Sequence, residues 1–338
     1  MVYIMTKNST ENSNYVLIIG SSNMDLNIYS KRLPKAGETV TGGTFQKSLG
    51  GKGANQAVGS VRSGINTTFI GKIGMDDFGD QMIRQLSEEG INTDYMIRTT
   101  EEHSGVAFIM IDEHGENMIS VAPGANARLS SQEIEQYHNI IKNASSLVVQ
   151  MEIPTETIMT IYKIAEKGDI IKILNPAPLK PLPKELFSHL DVIVPNKGEL
   201  SRLHSLLGFE NQRSHSELTT DWIVEMSRDI TNLGTRYIIT TLGPEGCIVF
   251  DHNRSKAHKV PSFEVEAVDT VGAGDCFNGV LASQLCEEKN IIDAAITATC
   301  ASSIAVTRKG AQESMPYRKE IMERVKKYKS LYQTTVLK

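Results

Sequence analysis

The chain has 338 residues, of which 40% are hydrophobic and 22% are charged, and its formal net charge is −5. This mixture is usual for a globular protein, and the acidic balance gives no general attraction to nucleic acid or to an anionic membrane surface. A small molecule is therefore the favoured partner, bound by one large domain with a minor one.

We expect one domain with a short segment at each end, in a cytoplasmic protein. Residues 1–14 form a polar leader that we expect to be disordered, residues 15–330 a single α/β domain, and residues 331–338 a C-terminal tail. No apolar run approaches the ~20 residues of a membrane span. The cysteines stand singly, without a C-x-x-C pair or a zinc-type spacing, so we expect reduced thiols in the cytoplasm, or also in the nucleus of a eukaryote.

Short runs rich in valine and isoleucine alternate with longer amphipathic segments. In chain order, strands are predicted at residues 15–20, 67–70, 146–150, 170–174, 192–194, 237–241 and 246–250. Helices are predicted at residues 55–63, 79–88, 131–142, 155–167, 219–231, 275–287 and 291–306. Continuous apolar strands separated by helices indicate a doubly wound α/β fold, whose mostly parallel sheet is flanked by helices.

Two stretches, residues 26–45 and 104–122, instead alternate apolar and polar residues, and the second has the pattern of strand, turn and strand. We expect them to form a small antiparallel β-sheet, called the lid here, next to the ends of the main strands. A lid suits a site from which water must be excluded. A decorative insertion or a dimer surface is the alternative, and a dimer contact is compatible with a lid.

Polar residues follow five of the predicted strands at the point where each strand ends. They lie at residues 20–25, 150–152, 175–178, 195–199 and 241–246. In open α/β sheets ligands bind outside the carboxyl ends of the strands, so we expect these five polar tails to converge on one crevice. Any single tail could be only a turn or a helix cap, but five together favour a binding site.

Residues 269–279, Asp-Thr-Val-Gly-Ala-Gly-Asp-Cys-Phe-Asn-Gly, place three small residues before a carboxylate at a predicted helix start. The free N–H groups at Gly272, Ala273 and Gly274, together with the helix dipole, would bind an anion such as phosphate. Asp275 would lie beside that phosphate as a base, which suggests phosphoryl transfer to a hydroxyl group. The alternative is a tight turn followed by an ordinary first-turn acid.

A second glycine-rich turn, Leu-Gly-Gly-Lys-Gly-Ala-Asn-Gln-Ala at residues 49–57, also enters a predicted helix. Its spacing is not that of a Walker A loop, and Gln56 stands where a dinucleotide fingerprint has its third glycine. A tight turn that exposes Lys52 and Asn55 instead suits a ligand with many hydroxyl groups.

Asn196 and Glu199 are three residues apart after a strand, so one helical turn would put them on the same side. An amide and a carboxylate beside a phosphate suit Mg²⁺ held through water, because Mg²⁺ keeps several of its waters. A helix cap, with Asn196 as the N-cap and Glu199 as its capping-box partner, is equally open.

The segments at residues 50–56 and 269–279 resemble the two signature motifs of the ribokinase-like sugar kinases, and the likeness runs from about residue 15 to about residue 316. Further segments favour the family members that phosphorylate D-ribose; they lie at residues 20–25, 34–39, 122–126, 174–178 and 305–312. The resemblance implies a ribokinase-like fold and transfer of phosphate from ATP to the O5 hydroxyl of D-ribose. It also implies Mg²⁺ with the ATP, K⁺ as a monovalent activator, and a homodimer formed through the lid.

The resemblance implies roles for individual residues, position by position. Asp275 would be the catalytic base, beside an anion hole at Gly272, Ala273 and Gly274. The sugar would be bound by Asn23, Met24, Asp25, Gly51, Lys52, Gly53, Ala54, Asn55, Glu152 and Asp275. The nucleotide would be contacted by Asn196, Thr241, Leu242, Gly243, Pro244, Glu245, Gly246, Gly274, Asp275 and Thr299.

The resemblance also implies two metal sites. Asn196 and Glu199 would organise the waters around Mg²⁺, and K⁺ would be held by Asp269, Val271, Ala305, Arg308, Gly310 and Ser314. The K⁺ would fix the loop at residues 269–274 so that its N–H groups point at the phosphate. One position departs from the family: Thr299 stands where a histidine stacks on adenine.

Other functions stay open on the sequence alone. A kinase of the same family could act on fructose, a ketodeoxysugar or a nucleoside, because a few hydrogen bonds decide sugar specificity. A non-catalytic sugar or nucleotide sensor is a second alternative, although a sensor has no need of Asp275 behind an intact glycine turn. A NAD-dependent dehydrogenase is disfavoured, because no G-x-G-x-x-G follows the first strand.

Overall fold

The computed structural model describes residues 14–209, 219–287 and 289–337, so the predicted leader lies outside the described residues except for residue 14. The strands, in chain order, are β1 (Tyr15–Ile19), β2 (Asn23–Tyr29), β3 (Thr44–Gly50), β4 (Asn66–Ile70), β5 (Lys72–Gly74), β6 (Ile97–Thr99), β7 (Gly105–Ile111), β8 (Asn117–Ala122), β9 (Ser146–Val149), β10 (Ile171–Leu174), β11 (Val192–Ile193), β12 (Tyr237–Thr241), β13 (Cys247–Asp251), β14 (Lys256–Val260) and β15 (Thr335–Leu337). The helices are α1 (Lys52–Arg62), α2 (Asp77–Glu88), α3 (Ser131–Glu135), α4 (His138–Lys142), α5 (Thr155–Ala165), α6 (Lys197–Leu206), α7 (Thr220–Thr231), α8 (Ala273–Cys286), α9 (Ile291–Ala305) and α10 (Arg318–Leu331). None of the helices in these ranges is long and apolar enough to cross a bilayer.

The main sheet has nine strands in the spatial order β15-β14-β13-β12-β11-β10-β9-β1-β4. The six strands from β12 to β4 run parallel, and β13, β14 and β15 add an antiparallel edge. The predicted α/β fold with a mostly parallel sheet is confirmed. The segment predicted as a C-terminal tail supplies the edge strand β15.

Both faces of this sheet are covered, which explains why its strands are continuously apolar. Val16, Leu17, Ile18 and Ile19 of β1 are all fully buried. Val16 and Ile18 belong to the core that includes α1, α8 and α9, whereas Leu17 and Ile19 belong to the core that includes α5, α6 and α7. Successive side chains of a strand point to opposite faces, so each face of β1 supports its own layer of helices.

The helix predicted at residues 131–142 is wrong as a single helix. The structure instead has α3 and α4, which are separated at Gln136 and Tyr137. Tyr137 leaves the helical conformation (φ −100°, ψ 17°), and its ring packs edge-on against Tyr95 with 5.8 Å between the ring centroids. A helical pattern in the sequence does not reveal this tertiary contact.

The lid is a four-stranded sheet in the order β3-β2-β7-β8. Its two outer pairs are antiparallel, while β2 and β7 in the centre run parallel. The predicted small sheet is confirmed, although residues 30–43 form the loop between β2 and β3. Both faces of the lid expose large apolar side chains: Ile28, Phe45, Phe108 and Met118 on one face, and Tyr29, Ile119 and Val121 on the other.

The helices α1 and α8 cross at Gly279, where their backbones approach too closely for a side chain. A Cβ atom there would lie 2.2 Å from the Gln56 carbonyl oxygen and 2.9 Å from the Ser60 backbone nitrogen. We expect Gly279→Ala to lower the free energy of unfolding by about 2 kcal/mol or more, because backbone atoms must move. Urea unfolding would measure this loss.

The matched control for that prediction is Gly274→Ala on the same helix. A Cβ atom at Gly274 would meet nothing within 4 Å, so we expect no loss of stability there. An equal loss in both variants would mean that close packing of α1 and α8 is not the cause.

Candidate active site

The five predicted polar tails meet at the carboxyl end of the main sheet, where ligands bind in folds of this kind. Hydrogen bonds or backbone bridges join them directly or through α1: Ser21–Glu152, Gln150–Gln56, Gln56–Asn175, Asn175–Val194 and Asn196–Thr241. The structure therefore brings together the residues that follow β1, β9, β10, β11 and β12.

Asp275 lies in the first turn of α8 and is 8% exposed. Its two carboxylate oxygens accept hydrogen bonds from the side-chain amides of Asn55 (3.0 Å) and Gln56 (3.1 Å), both on α1. Burial raises the pKa of Asp275, and the positive charge of Lys52 offsets only part of this effect. A carboxylate with a raised pKa is a stronger base than an ordinary aspartate, which suits general base catalysis.

The start of α8 offers backbone N–H groups to an anion. Its N-cap is Gly272 in the left-handed conformation (φ 74°), and no side chain in the described ranges caps this end. Ala273 and Gly274 follow in the first turn, and the Ala273 nitrogen donates to the Thr270 carbonyl oxygen at 3.3 Å, so a phosphate would have to share this N–H group. Because the first N–H groups of a helix have no partner within the helix, this end suits a phosphate group.

Several of the residues predicted to bind the sugar lie around Lys52, whereas the Met24 side chain is buried in a separate hydrophobic cluster with Leu49, Ile73 and Met82. The Lys52 backbone nitrogen donates to the Glu152 carboxylate at 3.1 Å, and the charge of Asp275 is the main cause that raises the pKa of Lys52. Gly51 has φ 86°, and a Cβ atom there would lie 2.7 Å from the Ser22 Cα atom, so only glycine fits this turn. The other predicted sugar residues lie on β2 and in the first two turns of α1: Asn23, Met24, Asp25, Gly53, Ala54 and Asn55.

Asp25, on the lid strand β2, is a second carboxyl group of the predicted site whose pKa is strongly raised. Burial raises its pKa from 3.8 to about 7, and the negative charges of Glu152, Glu313 and Asp275 contribute further. Because the folded protein holds this proton more tightly than the unfolded chain does, the stability that Asp25 contributes is fully present below about pH 4. That stability is lost as the pH rises to about 7.

We expect Asp25→Asn to stabilise the free protein above pH 7 and to weaken sugar binding. The upper limit of the stability gain is about 4 kcal/mol, since each unit of pKa difference corresponds to ~1.4 kcal/mol. Urea unfolding at pH 5 and pH 8, with exposed Asp94→Asn as the control, would measure the gain. If the stability of the Asp25→Asn variant depended on pH in the same way as that of the wild type, Asp25 would not be the group that causes this dependence.

The predicted nucleotide segment begins at Thr241, the last residue of β12, and continues as a tight turn. Its residues are Thr241, Leu242, Gly243, Pro244, Glu245 and Gly246, and the Leu242 nitrogen donates to the Gly246 carbonyl oxygen at 2.8 Å. Thr299 lies on α9 and is 4% exposed, with its hydroxyl oxygen 3.7 Å from the Cys247 sulfur. Its contact with adenine therefore stays a prediction.

Asn196 and Glu199 form the capping box of α6, which was the alternative to a metal role. The Asn196 side chain accepts from the Glu199 nitrogen, and the Glu199 Oε2 atom accepts from the Asn196 nitrogen, both at 2.8 Å. Burial raises the pKa of Glu199. The cap holds both side chains in fixed positions and uses only the Oε2 atom of Glu199. The Oε1 atom could therefore accept from a water of Mg²⁺, so the capping role and the metal role are compatible.

Asp269 joins the loop before α8 to the loop after α9. Its carboxylate oxygens accept from the backbone nitrogens of Val271 and Gly310, each at 3.0 Å. The Arg308 side chain pairs with Glu320 and carries a positive charge, so the predicted contact of Arg308 with K⁺ would have to be made by its backbone oxygen. The other predicted K⁺ residues, Ala305 and Ser314, lie at the end of α9 and in the loop after it. Carboxylate, carbonyl and hydroxyl oxygens fit K⁺.

Sequence reasoning assigned no site role to three buried amides, Gln56, Asn126 and Gln312. Asn126 donates to the Asn23 side chain at 2.8 Å, and Gln312 donates to the Asn55 side chain at 3.1 Å. The signal available for Gln56 was a polar amide between small residues in a glycine-rich turn. Its partners lie far away along the chain, so the sequence did not show which groups it would hold.

The fold and the arrangement of the site are those of a carbohydrate kinase. The pfkB family of carbohydrate kinases matches residues 13–318, and the chain belongs to this family. The predicted resemblance to the ribokinase-like sugar kinases is thereby confirmed.

Individual relatives are similar over nearly the whole chain. A ribokinase of Bacillus subtilis is 39% identical over 308 residues, which cover 91% of this chain and 98% of the relative. A bifunctional ribokinase/ribose-5-phosphate isomerase A of Fructilactobacillus sanfranciscensis is 37% identical over 91% of this chain, and the match spans 55% of that longer relative. A solved structure of Arabidopsis thaliana ribokinase, complexed with ribose and ATP, has a TM-score of 0.85 and 30% identity, covering 93% of this chain and 99% of the other.

Proposed function

We propose that this protein transfers the γ-phosphate of ATP to the O5 hydroxyl of D-ribose, giving D-ribose 5-phosphate and ADP. The observation that carries the proposal is the position of Asp275, a buried carboxylate that directly follows the uncapped glycine turn at the start of α8. The ribokinase relatives support the same reaction.

Asp275 accepts the proton of the O5 hydroxyl as that oxygen attacks the γ-phosphorus of ATP. The new bond joins O5 to phosphorus, the bond from phosphorus to the bridging oxygen of ADP breaks, and the proton ends on the carboxylate. The amides of Asn55 and Gln56 hold the carboxylate while this happens.

The N–H groups at Gly272, Ala273 and Gly274 stabilise the charge on the transferring phosphoryl group, because they are already oriented when the reaction begins. On the sugar side, the hydroxyl groups of ribose bind to the polar side chains of Asn23, Asp25, Lys52, Asn55 and Glu152. Lys52 also places a positive charge near four carboxylates of this site, those of Asp275, Glu152, Glu199 and Asp25.

Two metal ions complete the proposed site. Mg²⁺, when bound, would neutralise charge on the phosphates of ATP, with its waters ordered by Asn196 and Glu199. K⁺ would bind beside Asp269 and keep the loop before α8 in the conformation that presents its N–H groups.

We further propose a homodimer formed through the lid. The support is the apolar surface that both lid faces expose, since contiguous exposed apolar area is typical of contact surfaces. Sedimentation at micromolar concentration tests this, and a monomer at all concentrations would contradict it.

The reaction is tested with an assay of ADP release on D-ribose, 2-deoxyribose, fructose and adenosine, each in K⁺ and in Na⁺. We expect the highest kcat/KM with D-ribose, a 5-phosphate product by ³¹P NMR, and faster turnover in K⁺. A higher kcat/KM with another substrate would contradict ribose as the substrate. Equal rates in the two salts would contradict K⁺ activation.

A further inference from the structure

Gln56 contacts Asp275 from a position that cannot reach a ligand. Its side chain is fully buried, and its Nε2 atom donates to the Asp275 Oδ1 atom at 3.1 Å. Asn55, the partner of Oδ2, is by contrast one of the residues predicted to bind the sugar. A side chain enclosed by protein on all sides can influence the reaction only through the groups that it holds.

The amide group of Gln56 is held in one orientation. Its Nε2 atom also donates to the Asn175 Oδ1 atom at 3.1 Å, and its Oε1 atom accepts from the Gln150 Nε2 atom at 2.6 Å. Turning the amide over would place its oxygen against two acceptor oxygens and its NH₂ group against that of Gln150. Asn175 is anchored in turn, because it donates to the Val194 carbonyl oxygen at 3.0 Å.

We infer that Gln56, oriented by Gln150 and Asn175, is a positioning residue that fixes the plane of the Asp275 carboxylate for proton transfer. A carboxylate turns readily about its Cβ–Cγ bond unless its oxygens are held. Holding both oxygens leaves a free lone pair in a constant direction, toward the acceptor hydroxyl. The inference rests on the proposed function, since it requires Asp275 to remove the hydroxyl proton.

Gln56→Met tests this role, because methionine keeps the length of the side chain and removes the amide. We expect kcat to fall about 10- to 100-fold, with the KM for ribose within about threefold of the wild type. The acid limb of the kcat profile should move to higher pH, because a donor that stabilises the ionised carboxylate is lost. The other titratable groups that face Asp275 are unchanged in this variant: Lys52, Asp25, Glu152, Glu199 and Cys276.

Two more variants complete the experiment. Gln150→Met removes one of the two groups that orient Gln56 and leaves Asn175 in place, so we expect the same direction of change and a smaller loss in kcat, about 3- to 10-fold. Gln284→Met is the matched control, since Gln284 is a buried glutamine of α8 that pairs with Lys289. Its kcat should equal that of the wild type.

A folded Gln56→Met protein with kcat within about twofold of the wild type would overturn the inference, and so would a loss confined to KM. If that variant does not fold, wild-type turnover by Gln150→Met overturns it, and if neither folds the amides are structural and the inference fails. Asp275→Asn separates this result from the proposed function. An active Asp275→Asn protein means that the base is misassigned, whereas an inactive one beside a normal Gln56→Met protein means that only the positioning role is wrong.

Discussion

Replacing Asp275 with asparagine is expected to lower kcat about a thousandfold while ribose and ATP still bind. Asparagine has nearly the same size and shape as aspartate, but its amide cannot take the proton from the O5 hydroxyl. General base catalysis contributes about 10²- to 10⁴-fold, and the anion hole and the bound geometry would remain. Single-turnover kinetics and calorimetric binding of ribose would measure the two effects separately.

The same substitution should change the free energy of unfolding little near pH 7, because two effects oppose each other. Burial raises the pKa of Asp275, so the ionised carboxylate costs folding free energy that a neutral amide does not. The new NH₂ group, however, would face the donating amide of Asn55 or of Gln56, which is unfavourable. The matched control is Asp251→Asn, since Asp251 is also buried but lies at the end of β13, where it accepts backbone N–H bonds. Near-normal turnover by the Asp275 variant would remove this residue from the role of base.

Seven of the nine strands of the main sheet were predictable, because burial on both faces leaves continuous apolar runs in the sequence, whereas β14 and β15 at the sheet edge were not predicted. Each of the seven predicted strands lies within one or two residues of an observed strand. The hydrophobic pattern in the sequence is weak where an element has few buried residues. In α10 only Ile321, Val325 and Tyr328 are buried and most of the residues are charged, and this helix was not predicted.

The parts of the candidate site that were predicted are the two glycine-rich turns and the polar residues at the strand ends. The contacts that hold the site together were not predictable, because they join distant parts of the chain: Gln56 meets Asp275 across 219 positions and Gln150 across 94. Spacing also leaves some roles open. Asn196 and Glu199 satisfy a capping box and suit a metal through the same three-residue interval, and only the structure shows that the cap is made.

Gly274→Ala is expected to preserve the fold and to block phosphoryl transfer. Gly274 lies in the first turn of α8, where a Cβ atom would meet nothing within 4 Å. Alanine in a helix is up to about 1 kcal/mol more favourable than glycine, so stability should be unchanged or slightly higher. In the proposed site that open space is where the transferring phosphate lies, and we expect kcat/KM for ATP to fall at least about 100-fold.

Gly272→Ala serves as a comparison that distinguishes a blocked phosphate site from a destabilised fold. Gly272 has φ 74°, and a Cβ atom there would lie 3.0 Å from the Ala311 Cα atom, so this variant should lose both stability and activity. The Gly274 variant should lose activity alone and still bind ribose as the wild type does. Wild-type turnover by Gly274→Ala would mean that the phosphate does not approach the start of α8, and the anion hole would have to be placed elsewhere.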